Sequence, residues 1–141
     1  MKEDIIETFA NLGFAVDHLE EGILAFFFEG IRMVMMPNDD ENLLVLAIPC
    51  VANNSQLTKE NMTKIMNVAN YELRFTKLYT PNGKDVWISY EYKILEEKYD
   101  LELILTHMIQ YLALGKNYLD KLICSVYKTN HMEKNPNDQI T

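Results

Sequence analysis

Two short stretches in the first third of the chain, residues 23–28 (Ile-Leu-Ala-Phe-Phe-Phe) and 43–48 (Leu-Leu-Val-Leu-Ala-Ile), are apolar at every position. Each is too short for a stable helix and is bounded by turn residues: Glu20-Glu21-Gly22 and Glu29-Gly30 around the first, Asn38–Asn42 and Pro49 around the second. Both therefore read as strands. A strand turns alternate side chains to opposite faces, so a sheet with one wet face shows alternating polarity. These two do not alternate. Either helices cover both faces of their sheet, or a second protein surface covers one of them.

The neighbouring signals fit a meander. Residues 14–19 read as a first strand and residues 31–36 as a third, closed by Pro37, with turn signals every eight to twelve residues. Residues 75–79 and 86–94 form a hairpin across Thr80-Pro-Asn-Gly-Lys-Asp85, whose Asn-Gly pair suits positive φ. Its second strand alternates well, with Val86, Ile88, Tyr90, Tyr92 and Ile94 on one face.

Three helices complete the reading. Residues 2–12 place Ile5, Ile6, Phe9 and Leu12 on one side, begin with acidic residues, and stop at Gly13. Residues 58–70 start at the N-cap Thr58 and carry Met62, Ile65, Met66 and Ala69 at 3–4 spacing. Asn70 suits the left-handed conformation that ends a helix. The last helix is capped by Asp100 and runs Leu101, Leu105, Met108, Leu112, Gly115, Leu119, Leu122, Val126. Unbroken, it spans roughly 40 Å, with Gly115 marking a close contact or a bend. Residues 129–141 lack periodicity and read as a flexible tail after a single α+β domain over 1–128. Three helices cover only part of a five- or six-stranded sheet, so the doubly apolar strands favour a partner, and a homodimer is expected.

Composition narrows the function classes. The chain of 141 residues has 13 basic and 21 acidic residues, a net charge of −8. Nucleic-acid binding needs clustered Lys and Arg, so that class is excluded, and an acidic surface favours basic partners. No apolar run approaches a membrane span, and the charged start, Met-Lys-Glu-Asp, has no apolar leader, so a cytoplasmic protein is expected. Cys50 and Cys124 are far apart and read as buried free thiols. The Asn53 and Asn61 sequons then have no bearing.

Catalytic and metal chemistry find no pattern. His18, His107 and His131 fall on a strand, a helix and the tail, without ligand spacing. Asp39-Asp40-Glu41 lacks the alternating ligands of a calcium loop and reads as a solvated turn. No glycine-rich phosphate loop exists. No cofactor, no metal and no enzymatic activity are expected. The chemistry left is apolar binding. Met33, Met35 and Met36 cluster on one strand, with Phe27 on its neighbour, and methionine adapts to varied apolar partners. These four are the candidate partner-binding residues.

Around Asn67-x-x-Asn70 and the following strand with Lys77, the chain resembles the YbjN family, the bacterial sensory transduction regulators. The order of elements is similar from about residue 2 to 128: a helix ending Leu12-Gly13-Phe14, a meander, a helix ending Asn-x-x-Asn, a hairpin, and a long final helix. The resemblance implies an antiparallel α+β fold of order α-β-β-β(β)-α-β-β-α, similar to type III secretion chaperones, which are small, acidic, usually dimeric, and bind extended client segments. It marks Asn67, Asn70 and Lys77 as family positions, structural or functional. A non-enzymatic, protein-binding, chaperone-like or adaptor homodimer is the function expected. The alternatives are a small-molecule sensor or enzyme with a site between sheet and last helix, and a structural dimer with no client.

Overall fold

The computed structural model describes residues 1–53, 55 and 57–126 in full and the backbone alone of 127–140. Over the expected tail, 129–141, the backbone continues the last helix to Ile140, and residue 141 lies outside the described residues. The elements are α1 (Lys2–Asn11), β1 (Asp17–His18), β2 (Leu24–Phe28), β3 (Ile31–Asn38), β4 (Leu43–Asn53), α2 (Lys59–Glu72), β5 (Thr76–Tyr79), β6 (Asp85–Lys93) and α3 (Leu101–Ile140). The strands form one six-stranded antiparallel sheet in the order β1-β2-β3-β4-β6-β5.

Local chemistry accounts for the ends of the elements. Past α1, the Phe14 N–H reaches the Phe9 carbonyl and the Gly13 N–H that of Ala10, with Gly13 at φ 87°. This double closure needs a left-handed residue, which glycine supplies without strain. It brings the Phe14 ring edge-on to Phe9, 6.0 Å between centroids. Glu29 and Gly30, both at positive φ, close the two-residue hairpin between β2 and β3. Thr58 Oγ1 accepts from the Asn61 N–H at 3.1 Å, and Asp100 Oδ1 from the Leu103 N–H at 3.1 Å, capping α2 and α3.

All three helices contribute to one core on one face of the sheet. Ile5 and Phe9 of α1, Met62, Ile65 and Ala69 of α2, and Leu105, Met108 and Leu112 of α3 pack with Leu24, Phe26, Met33, Met35, Leu44, Leu46, Ile88 and Tyr90. At Gly115 α3 lies close against the strands: a β-carbon there would lie 2.8 Å from Ile88 Cδ1. The glycine marks a close contact, and α3 continues through it.

Several boundaries differ from the sequence expectation. The first strand shrinks from 14–19 to Asp17–His18, because Phe14 turns into the core against Phe26 and Phe28. Pro37 lies within β3, opposite Leu44, at a point where β3 has run past the pairing of β2 at Met35, so its missing N–H is not needed. Pro49 does not end β4 either. The strand bulges between Ile48 and Ala52, with Cys50 at φ 54°, and resumes pairing with β6. That bulge turns Cys50 outward, and Cys124 lies on the outer side of α3; both thiols are free and exposed rather than buried.

Asn70 does not terminate α2. The helix continues to Glu72, and Leu73 leaves it in an extended conformation, its N–H bonded to the Ala69 carbonyl. The left-handed residue at this junction is Phe75, at φ 68°.

Candidate partner-binding face

Among the described residues α1, α2 and α3 all pack on one side, and no element covers the other face of the sheet. Alternation places Ile23, Ala25 and Phe27 on it from the β2 segment, Arg32, Val34 and Met36 from β3, Leu43, Val45 and Ala47 from β4, and Trp87, Ser89 and Glu91 from β6. Ala25, Val34 and Ala47 form a small second apolar cluster, with Ile23, Met36 and Trp87 packed around it. Phe27 projects from this face with 60% of its surface exposed. Here lies the reason that the 23–28 and 43–48 segments are apolar on both sides: one side feeds the main core, the other this open face.

The sequence-derived binding residues divide between the two faces. Met33 and Met35 are fully buried in the main core, packed beneath the helices, so they offer no surface to a partner. Met36 is on the open face and half-buried, as the odd-even register of β3 requires. Phe27 shares that face. Trp87, Val45 and Ile23 belong with them and were not singled out from the sequence. The signal was available in β6, where Trp87 interrupts an otherwise polar alternate set.

Asn67, Asn70 and Lys77 are not brought together. Asn70 binds the edge strand: its Oδ1 accepts from the Leu78 N–H at 2.7 Å and its Nδ2 donates to the Leu78 carbonyl at 3.1 Å. Leu78 pairs with Ile88 on its other side. The side-chain amide thus takes the place of a further strand and satisfies edge groups that would otherwise face water or another chain. Asn67, one turn earlier, lines with Asn70, Thr63, Met66 and Gly83 a shallow cleft of about 200 Å³. Lys77 points to the open face, where its Nζ lies 2.6 Å from Glu91 Oε1 and 5.5 Å from the centre of the Tyr79 ring.

On the helical side of the same edge, the left-handed Phe75 stacks on Tyr90, 5.8 Å between centroids, and meets His107 and Tyr111 of α3 edge-on. Burial, with Tyr92 and Tyr111 adding to it, holds the Tyr90 phenol above its ordinary value of 10.0. His18 is far from this group in β1, and the side chain of His131 lies outside the described residues. Among the described residues no three His, Cys, Asp or Glu side chains come together as metal ligands, and no helix is long and apolar enough to cross a membrane. Between sheet and α3, where a small-molecule site was an alternative, Leu46, Ile88, Leu105, Met108 and Leu112 are fully buried against each other. The wider clefts lie at the rim, one of them edged by Asp39, Glu96 and Glu97.

This arrangement has solved counterparts. A chain from the crystal structure of the ExsC-ExsE complex superposes with a TM-score of 0.65, over 86% of this chain and 92% of that one, at 13% identity. An uncharacterized protein from Methanothermobacter thermautotrophicus superposes with a TM-score of 0.60, over 89% and 98%, at 14% identity. At such identities the likeness is one of fold. The fold is the antiparallel α+β, type III secretion chaperone-like one that the sequence led us to expect. No family model matches the chain, and no curated protein matches it.

Proposed function

We propose that this chain is a non-enzymatic protein-binding domain, chaperone-like or a regulatory adaptor, that acts in the cytoplasm as a homodimer. The observation that carries the reading is the open sheet face. Phe27, Met36, Val45 and Trp87 are large apolar or aromatic residues on a sheet whose helices all lie on the other side. Isolated exposed apolar residues are ordinary, but a contiguous set on one uncovered face marks an interaction surface. A likeness of fold to a chain crystallised within a two-protein complex supports the same reading. Met36 and Phe27 are the partner-binding residues retained from the sequence, while Asn70 bonds the edge strand at Leu78.

The test is recovery of a partner by the tagged domain from its native cytoplasm, identified by mass spectrometry and rebuilt from purified components. A one-to-one rebuilt complex supports the reading. A domain that yields no rebuilt complex, and whose Phe27→Asp variant behaves like wild type in every assay, refutes it.

A further inference from the structure

Phe75 combines backbone strain with side-chain exposure. Its φ of 68° lies in the left-handed region, where a bulky residue is strained. Its side chain is nevertheless 61% exposed. A strained residue persists when its surroundings hold it, and here the hold is a set of rings. Phe75 lies nearly parallel to Tyr90, with 5.8 Å between centroids and 14° between planes. It meets Tyr111 edge-on at 5.3 Å and His107 at 5.7 Å.

The other three rings also hold one another. His107 meets Tyr111 at 4.4 Å and Tyr90, edge-on, at 5.8 Å. Regular elements carry them: Tyr90 stands in β6, and His107 and Tyr111 are one turn apart on α3. Tyr90 belongs to the main core, with the Phe75 ring stacked on it. Phe75 itself sits in the connection between the end of α2 and Thr76, the first residue of β5. One ring is thus on a connection, and its seat is on the scaffold.

We infer that Tyr90, His107 and Tyr111 form a subsite for the ring of a small aromatic molecule, with Phe75 as its displaceable plug. The plug itself shows the chemistry of the occupant. The seat holds a phenyl ring, stacked on one side and met edge-on from two others, which is the geometry aromatic pairs prefer. A ring from outside makes these contacts without a left-handed backbone, so the exchange releases strain that the chain's own ring retains. The exposure of Phe75 lets it leave without opening the main core. A saturated molecule of equal size lacks the edge-to-face attraction and is disfavoured. A phenol or an indole fits, because His107 and Tyr111 also bring hydrogen-bonding groups to the seat. The subsite lies on the helical side of the sheet and is independent of the open face.

The test titrates p-cresol, indole and cyclohexanol into the full chain, wild type and Phe75→Gly, followed by NMR. Glycine adopts this φ without strain and empties the seat. The expected result is saturable shifts at His107 and Tyr111 with p-cresol and indole. Binding should be about tenfold tighter in Phe75→Gly, where no plug has to be displaced, and cyclohexanol should bind far more weakly in both chains. In wild type at saturation, the nuclear Overhauser effect between the Phe75 and Tyr90 rings should vanish. Its persistence, or equal affinity in the two chains, overturns the plug. Absence of saturable shifts at His107 and Tyr111 in folded Phe75→Gly removes the subsite; should that variant not fold, the same absence in wild type removes it. Cyclohexanol bound as tightly as p-cresol contradicts the aromatic preference. Phe27→Asp should leave probe binding unchanged, so this inference and the protein-binding reading fail separately. Loss of probe binding in Phe27→Asp moves the site to the open face and overturns the assignment.

Discussion

Asn70 shows what a residue's type does and does not reveal. An asparagine near a helix end has two common uses: to adopt the left-handed conformation, or to bond backbone groups through its amide. Sequence distance favours the first; the structure uses the second, reaching eight residues ahead to both backbone groups of Leu78. Asn70→Ala and Asn70→Gly should both destabilise, by about 1–3 kcal/mol, since two part-buried edge groups lose their partners. Urea unfolding reads the difference; a glycine variant as stable as wild type would restore the terminator role. The strained conformation sits instead at Phe75, which no propensity singles out, because its ring contacts with Tyr90, His107 and Tyr111 hold it there. Tyr90 also gives a pH expectation. Its phenol ionises at higher pH folded than unfolded, so the folded state binds more protons above pH 10.0. The stability contribution is whole below that pH and is lost as pH rises through the folded pKa. Tyr90→Phe should flatten that alkaline loss in a series of unfolding midpoints, and an unchanged alkaline slope would assign the loss to other groups.

At the scale of elements, periodicity was the reliable guide and proline the misleading one. The stripes of α1, α2 and α3 and the alternation of β6 depend only on which side chains face a core, and all four are found. Pro37 and Pro49 suggested strand ends, yet one sits where its strand has no neighbour on that side and the other in a bulge. Neither condition is visible without knowing which strands pair. The seating of α3 on the sheet is legible at Gly115, whose spacing places it in the apolar seam. Gly115→Val should destabilise by about 1–3 kcal/mol, because the space toward Ile88 is already filled, while a substitution at exposed Leu114 should cost far less. Equal thermal midpoints for the two variants would mean that α3 can shift away from the sheet.

For the whole molecule, the two doubly apolar strands carried the main inference: one side of each must be covered by something beyond a one-sided sheet. What they left open was how the helices divide between the faces. All three gather on one, so the second face is bare in a single chain. The net charge of −8 is also unevenly placed, since Arg32, Lys77 and Lys93 balance Asp17, Asp85 and Glu91 among strand residues on the open face. The acidic character thus belongs to other surfaces. Light scattering at micromolar concentration should report about twice the 16.5 kDa chain mass, as a homodimer requires, and a monomer across that range would remove the dimer from the account. The most direct measurement is calorimetric affinity for the purified partner, compared among wild type, Phe27→Asp on the open face and Leu114→Asp on the outer side of α3, each 60% or more exposed in the folded chain. The account predicts that Phe27→Asp weakens binding at least about tenfold while Leu114→Asp leaves it unchanged; full affinity in Phe27→Asp, or loss in Leu114→Asp alone, would contradict it.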